Sequence, residues 1–328
     1  MTRLAAFPPD EVLSDHVAAV AGGRRITALE RRPLGYATSF PIDHVTVRFD
    51  DGSEAHMAVK DLRWSSLIGD AAGTKPPQLH APTRSIGIHV LVLAPANLGP
   101  RVWAAGSGKP PDGEWIAVEL VDGVPLWEIG DIAVWEAVAR WLAEFHTQHR
   151  DHVDDVRRAI PELIEFSTAW MRPWLARART ALEHGSDPRR HDAMTLLDEC
   201  STAGLPRANG ATLVHGEFYP SNVMVAADGR ICPVDWELAG IGDPMIDLAA
   251  LVAGWDDDTA ERLVHAYTDR VGVPADDSLL RRSLSQWRLM NAARWLGWAP
   301  GWRPPDAHAH DWIGEILSAA EAGGTSRG

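Results

Sequence analysis

Between residues 26 and 62, hydrophobic and polar positions alternate, which is the period of a half-buried strand. Residues 27–33 form a first extended candidate. His44-Val45-Thr46-Val47-Arg48-Phe49 alternates and is rich in β-branched side chains. Asp50-Asp51-Gly52-Ser53 has the composition of a hairpin turn, and 54–62 resumes the strand with Lys60 near its end. A helix over about residues 9–21 precedes this meander. Residues 63–82, with Gly69, Gly73, Pro76 and Pro77, read as loop. Residues 85–93 are mostly apolar and fit either a helix or a buried strand. Two more strands are expected over 101–105 and 115–121. Asp122-Gly123-Val124-Pro125 then breaks the pattern and divides the chain into lobes of 1–121 and 122–328.

Beyond that break the period becomes helical. Asp131 is placed to cap a helix to about residue 149, with Ile132, Trp135, Val138, Leu142 and Phe145 at helical spacing. Pro161 is expected to open a second helix, kinked at Pro173, and Asp187-Pro188 a third that ends near Gly204. A strand-like island at 212–235 interrupts the helices, which return from about Pro244. The pattern predicts an α+β protein, with a strand-rich N-terminal lobe and a larger, mainly helical C-terminal lobe.

Composition narrows the function classes. At 328 residues, 45% hydrophobic and 23% charged, the chain has ample material for a buried core. A net charge of −14 argues against a nucleic-acid backbone as the main partner, since such binding rests on Lys and Arg neutralising phosphates. Residues 1–10 carry no long apolar signal segment, and residues 86–95 are too short to span a bilayer. Cys200 and Cys232 cannot make a disulfide framework or a four-cysteine zinc site, so a cytoplasmic protein with no membrane role is expected.

The island carries the chemistry: His215-Gly216-Glu217, then Asn222, and Asp235-Trp236-Glu237 thirteen positions after Asn222. Asn222 and Asp235 supply hard oxygen ligands of the kind Mg²⁺ takes together with phosphates. Glu217 shares a loop with Asn222 and is placed to orient or deprotonate a hydroxyl in line with a phosphate.

These motifs resemble those of the aminoglycoside phosphotransferase and choline kinase superfamily, which shares the protein-kinase-like fold. Its pattern is His-Gly-Asp, four residues, Asn, a short hairpin, then Asp-Trp/Phe-Glu/Asp; the continuation Gly242-Asp243-Pro244-Met245-Ile246-Asp247-Leu248-Ala249 is also similar. The resemblance covers residues 24–320. It implies a bilobal fold, with a mixed N-terminal sheet and one helix in the first lobe. It implies ATP, with GTP possible, and Mg²⁺ as cofactors, and a small-molecule hydroxyl as acceptor, such as an aminoglycoside, a macrolide, a choline-like compound or a natural-product intermediate. His215, Glu217, Asn222 and Asp235 would form the catalytic group, with Asn222 and Asp235 on the metal and Asp247 holding the catalytic loop. Lys60, in His56-Met57-Ala58-Val59-Lys60, matches the lysine that grips nucleotide phosphates. Thr38 and Ser39 lie where the phosphate-covering loop is expected. The backbone of Glu119 and Val121 would meet the adenine edge. A monomer or homodimer is expected.

Two departures matter. Glu217 stands where the family has aspartate, and an extra methylene displaces a carboxylate by about 1–1.5 Å, enough to cost on the order of 100-fold if the loop does not adjust. The glutamate that pairs with the phosphate lysine is expected near Arg84-Ser85-Ile86, where Ser85 stands instead; Lys60 is therefore expected to lack that partner. These departures support an alternative reading, a catalytically altered or inactive kinase-like protein that binds nucleotide or ligand. A third reading redirects the same pocket to other chemistry in a biosynthetic pathway. His89, His146, His149, His308 and His310 read as packed or solvated, and Asp256-Asp257-Asp258 as a helix start. Trp287, Trp295, Trp298, Trp302 and Trp312 read as helix packing, with a pocket for an aromatic or quaternary-ammonium ligand as the alternative. No Ser-His-Asp elbow or dinucleotide fingerprint is present.

Overall fold

The computed structural model describes residues 6–35, 37, 39–108, 113–204, 210–298 and 310–322; Thr38, Trp302 and His308 lie outside them. The chain forms two units. The first comprises Met1–Gly123, Ala159–Glu162 and Met224–Glu237, and the second Val124–Arg158, Leu163–Val223 and Leu238–Gly328.

In the first unit, helix α1 (Asp10–Val20) precedes five strands: β1 (Ile26–Pro33), β2 (Ile42–Phe49), β3 (Glu54–Asp61), β4 (Val102–Ser107) and β5 (Glu114–Glu119). They form one sheet in the order β1-β2-β3-β5-β4. Every neighbouring pair is antiparallel, so the sheet is not mixed: β1–β2, β2–β3 and β4–β5 are joined by direct returns, and β5 enters against β3. Alternation does the sorting. Val45, Val47 and Phe49 of β2 and Ala55, Met57 and Val59 of β3 bury one face under Leu13 and Val17 of α1. Lys60 falls on the opposite face, in register with Ile116, where Phe40, Leu62 and Ile86 make a second cluster. The β2–β3 turn closes through Phe49 N donating to Ser53 O (2.9 Å), with Gly52 at φ +80°.

Residues 63–82, expected as loop, contain three short helical turns, Trp64–Ser66, Ala71–Thr74 and Pro77–Leu79. The apolar stretch that fitted helix or strand is a helix. It runs from Pro82–Gly87 through wide π-type turns over Ile88–Leu93 to Ala94–Ala96, and ends at Asn97 in the left-handed conformation. The chain returns to this unit at Met224, and the strand Ile231–Pro233 brings it to Asp235. Gly123 packs so closely here that a Cβ would sit 2.2 Å from the Val225 carbonyl oxygen.

In the second unit, Asp131 caps the helix Ile132–Arg150 by accepting from Ala133 N at 3.0 Å, and Trp135, Val138, Leu142 and Phe145 bury one face. Pro161 does not open a helix. Ile164–Glu165 pairs with Gly240–Gly242, and Ile164 N and Phe166 N donate to Ala239 O and Ile241 O, which uses the backbone groups a helix would need. The helix begins at Thr168, capped by Ser167, and continues through Pro173 to His184. Arg190–Ala203, Asp257–Val271, Ser278–Trp298 and Trp312–Ala322 complete the helical frame around Met245–Val252, all eight residues of which are buried. No helix among the described residues is long and apolar enough to cross a membrane.

Candidate active site

In the first unit, β3 delivers Lys60 to a pair of carboxylates. Lys60 Nζ lies 2.5 Å from Asp235 Oδ1 and 3.0 Å from Glu237 Oε1. Lys60 lacks the helix glutamate, as expected, yet it has ion-pair partners from elsewhere. They come from the Asp-Trp-Glu segment, while the helix Pro82–Gly87 presents no acid. Trp236, fully buried between the two carboxylates, donates its indole N–H to Pro233 O (3.1 Å) and pins the segment. Arg84, also buried, donates to the carbonyls of Glu237 (2.6 Å), Glu162 (3.0 Å) and Leu79 (2.6 Å). Glu237 Oε2 accepts from Lys75, whose side chain is only 5% exposed. Burial alone would raise the Glu237 carboxyl and lower the Lys60 ammonium. The opposite charges outweigh burial on both, so Glu237 is held down to about 2 and Lys60 is pushed up.

Asp235 adopts a left-handed conformation, φ +64°. A non-glycine residue there costs of order 1–3 kcal/mol and persists where the surroundings over-determine it, a condition that clusters at functional sites. The residue is more than a third exposed, and only one of its oxygens faces Lys60, so its carboxylate remains able to hold a cation.

Lys75 was not foreseen. The signal was compositional: the chain has 28 arginines and three lysines, Lys60, Lys75 and Lys109. Two of the three share one carboxylate.

In the second unit, the strand Thr212–Val214 leads into a loop bonded along its whole length. Asp247, buried in the first turn of Met245–Val252, accepts from His215 N (2.7 Å) and Gly216 N (2.8 Å), the supporting position expected of it. Its Oδ2 also faces His146 Nε2 at 3.1 Å, and His146 Nδ1 faces the Tyr267 hydroxyl at 2.9 Å. Burial pushes the Tyr267 phenol up, and because a carboxylate only accepts, Nε2–H is the donor toward Asp247. Gly216 sits at φ +81°, and a Cβ there would meet Leu238 O at 2.3 Å.

His215 is fully buried, and its Nδ1 accepts from Glu217 N (3.2 Å), so the ring shapes the loop. The Glu217 carbonyl accepts from Tyr219 N (2.7 Å) and Asn222 Nδ2 (3.0 Å). With its NH₂ donating to that carbonyl, Asn222 keeps Oδ1 as an acceptor. The Glu217 carboxylate, 21% exposed, lies 3.9 Å from Arg294, which is buried and donates to Gly216 O (2.6 Å). Burial pushes the Tyr219 phenol up to about 12. Its ring lies edge-on to Trp295, which stacks on Trp312 at 5.2 Å. The tryptophan group thus divides: Trp295 and Trp312 adjoin the loop 215–222, whereas Trp287 packs on Phe166 and Trp298 on Trp174.

The remaining candidates have ordinary surroundings. Ser39 O accepts from Ile68 N (3.0 Å). The Glu119 side chain accepts from Arg230 (2.7 Å) and Arg101 N (3.1 Å); burial opposes the charge, but these bonds hold its carboxyl below the usual range. Val121 is half-buried just beyond β5. His149 bonds Phe145 O, and Asp256 caps the helix Asp257–Val271. Among the described residues, no group of three or more His, Cys, Asp or Glu could hold a metal. Asp235 in the first unit offers a carboxylate and Asn222 in the second an amide oxygen, each a hard donor of the kind Mg²⁺ takes.

An antiparallel N-terminal sheet followed by a mainly helical region is a kinase-like fold. Residues 74–282 match the APH family model, the phosphotransferase enzyme family, and the chain belongs to that family. It is 31% identical over 173 residues to viomycin phosphotransferase of Streptomyces vinaceus, covering 49% of this chain and 56% of that one. The chain spans about half the length of the curated relatives it matches. Choline kinase LicA from Streptococcus pneumoniae is similar at a TM-score of 0.56 and 13% identity, with 97% of this chain and 99% of that chain covered. LicA is also known in complex with AMP. Aminoglycoside 2'-phosphotransferase-IIIa, in its GDP complex, is similar at a TM-score of 0.56 and 16% identity, with 95% and 97% covered.

Proposed function

We propose that the protein transfers the γ-phosphoryl group of ATP, or of GTP, to a hydroxyl of a small molecule. The observation that carries this reading is the loop 215–222. Asp247, His215 and Asn222 fix its backbone, so that Glu217 and Asn222 project their side chains from set positions. Family membership supports phosphotransfer, and the AMP and GDP complexes of structural neighbours support a nucleotide donor.

The acceptor oxygen attacks the γ-phosphorus while its proton passes to the Glu217 carboxylate. The bond from that phosphorus to the bridging oxygen breaks, and the nucleoside diphosphate leaves. Lys60 binds the phosphates, and Arg294 and His215 hold the segment that carries Glu217. Asn222 and Asp235 would hold Mg²⁺, which supplies neutralisation of phosphate charge when bound. The first unit would serve the nucleotide, with the backbone of Glu119 and Val121 toward the adenine, and the second unit would serve the acceptor.

A second reading, a nucleotide binder without transfer, is favoured by Glu217 standing where the family has aspartate, since the added methylene moves the carboxylate relative to the family's position. The test is ATP and GTP turnover with Mg²⁺ over a panel of aminoglycosides, macrolides, choline analogues, thiamine and sugars, with product mass as the readout. A product heavier by one phosphoryl group supports transfer. Nucleotide binding with no product from any acceptor favours the second reading.

A further inference from the structure

The family resemblance pairs the phosphate lysine with a helix glutamate, and this chain has none at that place. We propose that Glu237, held by Lys75, is the positioning acid for Lys60. The inference rests on the phosphotransfer reading, because it assigns a partner to the lysine that reading places on phosphates.

Three observations carry it. Lys60 lies between two carboxylates, Asp235 at 2.5 Å and Glu237 at 3.0 Å. Asp235 is the more exposed of the two and stands at the end of the hairpin, where a metal ligand is needed. Glu237 has a 15% exposed side chain, and Arg84 fixes its backbone carbonyl. When Asp235 turns to a cation, Glu237 is the carboxylate that stays with Lys60.

Lys75 explains why Glu237 stays in place. It bonds Oε2 while Lys60 takes Oε1, so each carboxylate oxygen has its own ammonium. The Phe40 ring covers both lysines, 4.5 Å from Lys75 Nζ and 5.8 Å from Lys60 Nζ. The space beside the Lys75–Glu237 pair, bounded by Phe40, Leu79, His80 and Pro82, has about 10 Å³ of room, no more than one water. Lys75, only 5% exposed, is thus committed to Glu237. The charges follow. With Asp235 on a cation, two ammonium groups share one carboxylate, so the cluster keeps a net positive charge for phosphates. A lone Glu237 would cancel Lys60.

The test compares ATP affinity, by calorimetry with Mg²⁺, against melting temperature. The double variant Glu237→Gln, Lys75→Met removes both charges at nearly constant volume. The expected result is ATP binding weaker by about tenfold, the worth of one charge-assisted contact, with a melting temperature near wild type. Glu237→Asp keeps the charge but withdraws the carboxylate, and decides the matter if the double variant does not fold. It is expected to weaken ATP binding several-fold and to raise KM for ATP while KM for the acceptor holds. ATP affinity equal to wild type in a folded variant overturns the assignment and leaves the phosphotransfer reading standing. A wild-type protein that binds neither ATP nor GTP overturns both.

Discussion

Asp247→Asn keeps the shape of the side chain and removes its charge. The carboxylate accepts from His215 N at 2.7 Å, Gly216 N at 2.8 Å and His146 Nε2 at 3.1 Å, all in a fully buried site. An amide offers one oxygen. Turned toward His215 and His146, its NH₂ opposes the Gly216 N–H; turned the other way, it opposes two donors. One buried N–H left without an acceptor costs ~1–3 kcal/mol, and each surviving bond loses its charge assistance, roughly 1 kcal/mol apiece. The loss comes to about 3–5 kcal/mol, against a typical total of roughly 5–15 kcal/mol. At about 2–4 °C per kcal/mol for a unit of this size, the melting temperature should fall by about 10 °C in scanning calorimetry. If the protein transfers phosphoryl groups, kcat should also fall by about 100-fold, because Gly216 carries Glu217 and a shift near 1 Å at the base is costly. A melting temperature within about 2 °C of wild type would refute the view that this carboxylate clamps the loop.

Glu217→Gln keeps size and hydrogen bonding and removes the basic charge. Turnover should drop by roughly 10²–10⁴-fold with little change in nucleotide affinity, and undiminished turnover would remove Glu217 from the base role. Asp235→Asn removes a charged oxygen donor and one of the two anions facing Lys60. It should weaken Mg²⁺-dependent nucleotide binding, and equal affinity in calorimetry would refute the metal assignment. Glu315 is buried; burial alone would raise its carboxyl, but His310 and Arg288 hold it below the usual range. A carboxyl lowered on folding contributes stability above its unfolded value, and that stability is lost as pH falls through the folded one. Glu315→Gln should therefore lower the melting temperature at pH 7 and converge on wild type as the pH is taken below the carboxylate range. A constant deficit across that range would count against the ion pair.

What could be read from the sequence was what depends on near neighbours. The alternation of residues 44–49 gives β2, and Asp131 followed by Trp135, Val138 and Leu142 gives the helix Ile132–Arg150, because a two- or 3.6-residue period is a local property. Residues 85–93 were ambiguous because an apolar run coiled in wide turns shows neither period. Pro161 misled because the strand pairing that overrides it comes from Gly240–Gly242, far along the chain. His215, Glu217, Asn222 and Asp235 stood out together by spacing. Lys75 and Arg84 did not, since their partner Glu237 lies 162 and 153 residues away. His146 was read as merely packed or solvated, and its link to Asp247 spans 101 residues. Buried ion pairs of this kind leave no local pattern. Their trace is compositional, an arginine-rich chain that keeps lysine at two sites on one acid.

The extra methylene of Glu217 can be accommodated in two ways, and the loop geometry selects one. The backbone of residue 217 is held on both sides, its N–H by His215 Nδ1 and its carbonyl by Tyr219 N and Asn222 Nδ2. Gly216 is fixed as well, by Asp247 and by the 2.3 Å approach that a Cβ there would make to Leu238 O. The loop therefore has no slack with which to retreat. The added length is carried by the side chain, which reaches a carboxylate position 3.9 Å from Arg294. Glu217→Asp restores the residue usual in the resemblance, yet it should not restore a better enzyme. The carboxylate would withdraw by about 1.5 Å, one C–C bond, from both Arg294 and the acceptor. With the backbone unable to follow, kcat should fall by about 100-fold while KM for ATP holds. A gain in kcat on Glu217→Asp would mean that the loop moves after all, and that glutamate here marks a transferase in decay.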